Sequence, residues 1–223
     1  MNKKVLVFGS TGMLGQAFVL EAIEDPRIES ILLINRRSAG ITHDKVKEIL
    51  HDDFHDFSSI HDELQPFDAC CFCLGTSAVG KNEQTYHHIT FGIIQALIEQ
   101  LSVKTTEMTF LYISGAGTDS TEKGRAMWAR VKGKTENFLI DTFKEAYMFR
   151  PGYIQPMKGV KSATNWYRWI YAAIGFTYPL LRRLFPRSVM TTIDLAKSQI
   201  NAICVGYHRK ILETSDIHEL AGS

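Results

Sequence analysis

Short runs of Val, Ile, Leu and Phe alternate along this chain with longer segments of helical periodicity. The short runs are Lys4–Phe8, Ser30–Ile34, Val46–Leu50, Ala69–Leu74, Thr109–Ile113 and Ala146–Phe149. Most are apolar on both faces, which strands of a parallel sheet require when helices cover both sides. Met13–Glu24, about Glu83–Leu101, Thr121–Phe143 and Ile193–Val205 supply the helices. The alternation predicts an α/β fold built on a doubly wound parallel sheet.

One region departs from this rhythm. Between Pro156 and Arg187 the chain carries Trp166, Tyr167, Trp169, Tyr171, Phe176, Tyr178 and Phe185, bounded by Pro156 and Pro186. It reads as a small helical lobe inserted over the carboxyl end of the sheet, within a single domain spanning residues 1–223. Its longest uncharged run, residues 169–181, falls short of the roughly 20 residues needed to span a bilayer. An interfacial helix that touches a membrane surface stays open beside a substrate lid.

Composition adds limits. Hydrophobic residues make up 45% of the 223 and charged residues 22%, so a disordered acidic or basic tail protein is excluded. The basic-then-apolar start, M-N-K-K-V-L-V-F-G, has too short an apolar part for a signal peptide and reads as a first strand. Cys70, Cys71 and Cys73 crowd one apolar run, with Cys204 far away, and neither a CxxC pair nor a histidine cluster accompanies them. Neighbouring Cys70 and Cys71 should point to opposite faces, as buried thiols of a cytoplasmic protein. The histidines His43, His51, His55, His61, His87 and His88 lack ligand spacing, and no metal site is expected. Hydrolase chemistry has no support without a G-x-S-x-G elbow.

The net charge of +1 hides an asymmetry. No acidic residue lies between Glu145 and Asp194, while Arg150, Lys158, Lys161, Arg168, Arg182, Arg183 and Arg187 do. Such a basic stretch suits an anionic ligand or surface. No nucleic-acid motif accompanies it, so no nucleic-acid partner is expected.

The sharpest chemical signal is V-F-G-S-T-G-M-L-G, which sets Gly9, Gly12 and Gly15 between the first strand and the first helix. Helix-start amides can donate to a pyrophosphate, and the missing side chains let it approach. Thr11, Met13 and Leu14 share that turn. The spacing is GxxGxxG rather than GxGxxG, a variant of the dinucleotide fingerprint. The second strand then ends in I-N-R-R. Asn35 stands where an NAD site would carry an acid for the ribose, and Arg36 and Arg37 follow. Two guanidiniums pair with a 2′-phosphate that a carboxylate would repel, so the expected cofactor is NADP(H). Asp53 and Phe54 should lie at the adenine edge, and Leu74, Gly75 and Thr76 near the adenine ribose.

G-S-T-G-M-L-G, D-F after the third strand, C-L-G-T, Y-I-S-G-A-G, V-K-G-K-T-E, F-R-P-G-Y-I and I-D-L-A-K run in order across nearly the whole chain. In this the sequence resembles the short-chain dehydrogenase/reductase superfamily, in its atypical or extended NAD(P)-binding branch, and is similar to the Tat-interacting oxidoreductase-like proteins. The resemblance implies a Rossmann fold and roles for individual residues. Ser114 matches the serine that binds the substrate carbonyl, with a helix cap as its plainer alternative. Lys132 matches the lysine that holds the nicotinamide ribose and lowers a tyrosine pKa. Pro151, Gly152, Tyr153 and Ile154 would line the nicotinamide pocket. The family's proton donor, a tyrosine four residues before the lysine, is replaced by Trp128.

A tyrosine and a lysine at i and i+4 share one helix face, where the ammonium can stabilise a phenolate. An indole N–H donates a hydrogen bond but does not titrate in the biological range. General acid catalysis contributes about 10²–10⁴-fold, the scale of the loss unless Tyr112, Tyr153 or Tyr167 substitutes. Two functions follow. One is an NADP-dependent oxidoreductase, or a related epimerase or dehydratase, with a modified donor acting on an unknown small molecule. The other is a catalytically weak NADP-sensing protein whose shape a protein partner or membrane surface reads.

Overall fold

The computed structural model describes residues 2–64, 66–101, 107–158 and 189–222. Strands β1 (Lys3–Phe8), β2 (Ile28–Asn35), β3 (Val46–Leu50), β4 (Ala69–Phe72), β5 (Thr109–Ile113), β6 (Ala146–Arg150) and β9 (Ile211–Glu213) form one parallel sheet in the order β3-β2-β1-β4-β5-β6-β9. This is the doubly wound Rossmann order with one strand added at the edge, and its switch point lies between β1 and β4. A separate parallel pair joins β7 (Tyr153–Gln155) to β8 (Val189–Thr191).

Alternation along the strands divides the core. Val5 and Val7, Cys71, Leu111, Tyr147 and Phe149 face α1 (Met13–Glu24), α5 (Thr192–Cys204) and α6 (Thr214–Ala221). Leu6 and Phe8, Cys70 and Phe72, Phe110, Tyr112 and Met148 face α3 (Ile93–Gln100) and α4 (Met127–Thr142). Cys70 and Cys71 therefore do point apart, as the two-residue strand period requires.

The expected helix over 83–101 is interrupted. α2 (Glu83–His87), capped by Asn82 Oδ1 accepting from Thr85 N at 2.8 Å, passes through a π-helical turn (His88–Gly92) into α3. α4 starts six residues later than its pattern suggests. Asp119 gathers the intervening residues by accepting from Thr121 N at 3.0 Å, Thr121 Oγ1 at 2.6 Å and Gly124 N at 2.6 Å. Glu122 is drawn to a φ of 60° in the process. The glycine of V-K-G answers to this loop, because a Cβ on Gly133 would collide with the Asp119 carbonyl oxygen.

At the C-terminal side, α5 and α6 each open on a reciprocal cap, Thr191 with Asp194 and Glu213 with Asp216. The aromatic lobe expected at about 156–187 lies, from residue 159 onward, outside the described residues. Among the described residues no helix is long and apolar enough to cross a membrane.

Candidate functional site

β1 hands the chain to Gly9, whose φ of 80° is strained for any residue with a side chain. A Cβ there would sit 2.8 Å from Leu74 N and 2.9 Å from the Cys73 carbonyl carbon, so β4 leans directly on this turn. Gly15 packs α1 equally close, since its Cβ would strike the Gly9 carbonyl. Gly12 is the N-cap of α1 and offers no side chain to its amides. Thr11 is exposed, and Gly12, Met13 and Leu14 are half-buried. Across the switch point, Leu74 and Thr76 are half-buried and Gly75 is exposed. Uncapped amides, a helix N-terminus and the absence of side chains make a cradle that fits a pyrophosphate.

The end of β2 is held by a residue of β3 that spacing did not single out. Asn35 is buried, and its Nδ2 donates to Ser10 Oγ and to Glu48 Oε1, both at 2.7 Å. Glu48, on β3, also accepts from Ser38 Oγ at 2.5 Å and Ala39 N at 2.8 Å. Burial pushes its carboxyl upward, but the donors from Ser38, Ala39 and Asn35 outweigh this and leave it lowered. Because Glu48 is satisfied by neutral donors, it fixes the loop without engaging Arg36 or Arg37. Both arginines are exposed, with no ion pair among the described residues.

Asp53 is exposed, and its carboxylate accepts from His55 N at 2.8 Å. Phe54 is only 6% exposed and packs edge-on against Phe8, Phe57 and His51. Its ring therefore belongs to the core, while the Asp53 side chain beside it is exposed. His51 also belongs to the core. It is buried, stacks on Phe57, and its Nε2 bonds the carbonyls of Asp53 and Asp56.

At the carboxyl end of β5 a buried polar network absorbs the residue matched to the catalytic serine. Ser114 is 3% exposed, and its Oγ donates to Glu136 Oε1 at 2.5 Å, with Phe149 O at 3.1 Å. Glu136, on α4, is fully buried and paired with Arg150 through Nε at 3.0 Å and through Nη2. Arg150 Nη2 also donates to Ser120 Oγ at 2.5 Å, and Nη1 reaches Glu213 at 3.3 Å. The Glu136 carboxylate holds the guanidinium pKa above its ordinary value. Ser114 thus faces α4 rather than a substrate.

Lys132 lies one turn before Glu136 and donates through Nζ to the Ser114 carbonyl. Burial pulls its pKa down to about 8, with Glu136 opposing. A lowered lysine pKa means that the folded state binds fewer protons than the unfolded chain between about pH 8 and 10.5. Stability from this group therefore rises with pH across that window and is lowest below it. Lys132→Met is expected to raise the unfolding free energy below pH 8 by about 1–3 kcal/mol, an advantage that vanishes above about pH 10.5. Urea titrations of both proteins across that range measure it; a gain independent of pH contradicts it.

Trp128 is half-buried, and its indole lies against the loop after β5. Its Cη2 and Cζ2 would be 3.6 and 3.9 Å from a Cβ on Gly117. Of the other candidate donors, Tyr112 is 1% exposed and its phenol is pushed up by burial, so it cannot serve a pocket. Tyr167 lies outside the described residues. Tyr153 is half-buried on β7, its hydroxyl donating to Gln155 Oε1 at 2.9 Å. Pro151 O accepts from Ala116 N at 3.0 Å and Gly152 N donates to Thr214 Oγ1 at 3.0 Å, so Pro151–Ile154 adjoins the β5 loop. Among the described residues no group of three or more potential metal ligands gathers.

The fold, though not the detail of the site, is found in solved structures. The chain superposes on the Bordetella bronchiseptica enzyme WbmF in complex with NAD+ with a TM-score of 0.67 at 14% identity, over 99% of this chain and 77% of that one. A UDP-glucose 4-epimerase matches with a TM-score of 0.69 at 14% identity, covering 97% and 80%. A Saccharomyces cerevisiae short-chain dehydrogenase/reductase matches with a TM-score of 0.67 at 14% identity over 99% of each chain. The fold is theirs. No protein-family model and no curated protein sequence matches the chain.

Proposed function

We propose that this chain binds NADP(H) as a short-chain dehydrogenase/reductase-like protein, akin to the Tat-interacting oxidoreductase-like proteins, and that ordinary carbonyl reduction is not its efficient activity. The observation that carries the binding reading is the cradle of Gly9, Gly12 and Gly15 at the switch point, at the uncapped start of α1. The unpaired Arg36 and Arg37 support the 2′-phosphate, Asp53, Leu74, Gly75 and Thr76 border the adenosine, and Lys132 with Pro151–Ile154 border the nicotinamide. When bound, the dinucleotide supplies hydride chemistry.

Among the described residues, those at the family's donor and serine positions are poorly set for the accompanying proton. Trp128 has none to exchange, and the Ser114 hydroxyl is committed to Glu136. This favours a sensing or scaffolding role, in which the bound form is read by a protein partner or a membrane surface. The second reading, an atypical oxidoreductase or epimerase with another donor, rests on Tyr153, which remains half-buried beside the β5 loop.

Calorimetric titration with NADPH and NADH tests the cofactor. NADPH is expected to bind at least about tenfold more tightly, since two charge-assisted pairs to a phosphate exceed the ~1.4 kcal/mol that tenfold requires. Replacing Arg36 and Arg37 together by alanine should erase the preference. Equal affinities in the wild type, or a preference surviving in the double variant, overturn the charge argument.

A further inference from the structure

Cys71 in β4 and Cys73, one residue past its end, stand two residues apart, and both side chains pack on the α1 and α5 side of the sheet. Their sulfurs are 3.5 Å apart. Over them lies Gln199 of α5, itself 1% exposed, whose Nε2 donates to Cys71 Sγ at 3.4 Å and lies 4.0 Å from Cys73 Sγ. The same carboxamide leaves its buried Oε1 without a hydrogen-bond partner among the described residues. A buried amide held over two thiols with its acceptor unused is unfavourable as mere packing.

We propose that Cys71 and Cys73 form a reversible dithiol–disulfide switch beneath the glycine turn, closed by a peroxide and weakening dinucleotide binding when closed. The two thiols differ in access. Cys71 is fully buried, and burial raises its pKa well above the usual thiol range, so it stays protonated. Cys73 is half-buried at the carboxyl end of the sheet and meets the oxidant first. Its sulfur attacks one peroxide oxygen, forming an S–O bond as the O–O bond breaks, and the departing hydroxide takes the Cys73 proton as water. The Cys71 sulfur then attacks the sulfenic sulfur. The S–S bond forms, the S–O bond breaks, and the departing hydroxide takes the Cys71 proton as water. Two thiols and one hydrogen peroxide become one disulfide and two waters. Gln199 Nε2 donates to the sulfurs during the exchange.

The coupling to the cofactor site follows from strand geometry. Two residues of an extended strand advance about 6.4–6.8 Å, at the upper limit of the Cα separation that a disulfide usually spans. Closing the bond must therefore draw Cys73 back toward Cys71. The Cys73–Leu74 peptide is the one against which Gly9 rests, 2.8–2.9 Å from where a Cβ would lie, and Cys73 N donates to Phe8 O at 3.0 Å. Retracting it withdraws the support beneath Gly9, and with it the turn that orients the amides of α1. A bond closed against the strand is also readily reduced, as a reversible switch requires.

The affinity arm of this proposal rests on the NADP(H) reading; the disulfide itself does not. The reduced full-length protein is exposed to hydrogen peroxide, alkylated and mapped by peptide mass. The segment carrying Cys70, Cys71 and Cys73 should lose two hydrogens with only Cys70 alkylated, and dithiothreitol should reverse this. Cys73→Ser and Cys71→Ala should each abolish the loss. NADPH should bind the oxidised wild type about tenfold more weakly, and peroxide should leave the NADPH affinity of Cys73→Ser unchanged. A sulfinic acid on Cys73 without a disulfide, pairing to Cys70 or Cys204, or a disulfide with unaltered NADPH affinity overturns the switch. If the reduced protein binds no NADPH, the nucleotide reading fails instead. Hydrogen exchange of the amides of residues 9–14 then decides the switch, faster exchange on oxidation supporting it and unchanged exchange overturning it.

Discussion

Glu136→Ala is expected to lower the unfolding free energy by about 3–5 kcal/mol, because it leaves the Arg150 guanidinium, whose side chain is 11% exposed, beside an apolar cavity without its main counter-charge. Ser114 loses its shorter acceptor in the same step. For a chain of this size the corresponding fall in melting temperature is about 6–15 °C. Desolvation of the surviving charge, rather than the attraction of the pair, accounts for most of the cost. A Glu136→Leu, Arg150→Met double variant should therefore recover most of the stability lost in either single variant. Urea unfolding of the wild type, Glu136→Leu, Arg150→Met and the double variant measures the coupling, and Glu136→Ala beside them measures the loss. A loss under about 1 kcal/mol in Glu136→Ala would show that the network is solvated and not structural.

Trp128→Tyr carries the largest expected change in chemistry. The substitution restores a phenol four residues before Lys132, on the helix face that carries the ammonium, with Gly117 leaving room for a ring. NADPH oxidation with at least one small ketone or aldehyde should rise by about 10²-fold or more over a wild type that is nearly inactive. The gain should stay below that of a complete site, since Ser114 faces Glu136 and cannot polarise the carbonyl. A wild type already turning over at about 1–10³ s⁻¹ contradicts this account and points to Tyr153 as the donor.

The six principal strands were legible because all but β3, which carries Lys47 and Glu48, are largely apolar runs between polar turns, and all six lie within two residues of their predicted bounds at both ends. β7, β8 and β9 are three residues each, too short for a periodic signal, and exist because neighbouring strand ends offer free backbone groups. The early part of 121–143 has helical composition, but Asp119 supplies a local alternative set of hydrogen bonds that the pattern cannot weigh.

At the site, the glycines were legible because their spacing states a backbone need. Glu48 was not, since an acid on an edge strand looks solvated until Asn35, Ser38 and Ala39 close around it. The direction of Ser114 was available in principle. Phe110 and Tyr112 face α4, and the two-residue strand period carries Ser114 to the same side, toward Glu136. Arg150 likewise belonged to a basic stretch in sequence, yet its charge is spent on Glu136 and Glu213.

The central claim is that the glycine turn receives a dinucleotide, and Gly12 is where it can be tested without disturbing the fold. Its φ of −88° and ψ of 161° are extended values that valine adopts readily, and a Cβ there would meet only the Gly9 carbonyl at 3.3 Å. Valine would place two methyl groups where the pyrophosphate must approach. Calorimetric titration of wild type and Gly12→Val with NADPH should give one-to-one binding in the first and at least about 100-fold weaker binding in the second, with the circular dichroism spectra of the two coinciding. Equal NADPH affinity in the two proteins would contradict the account.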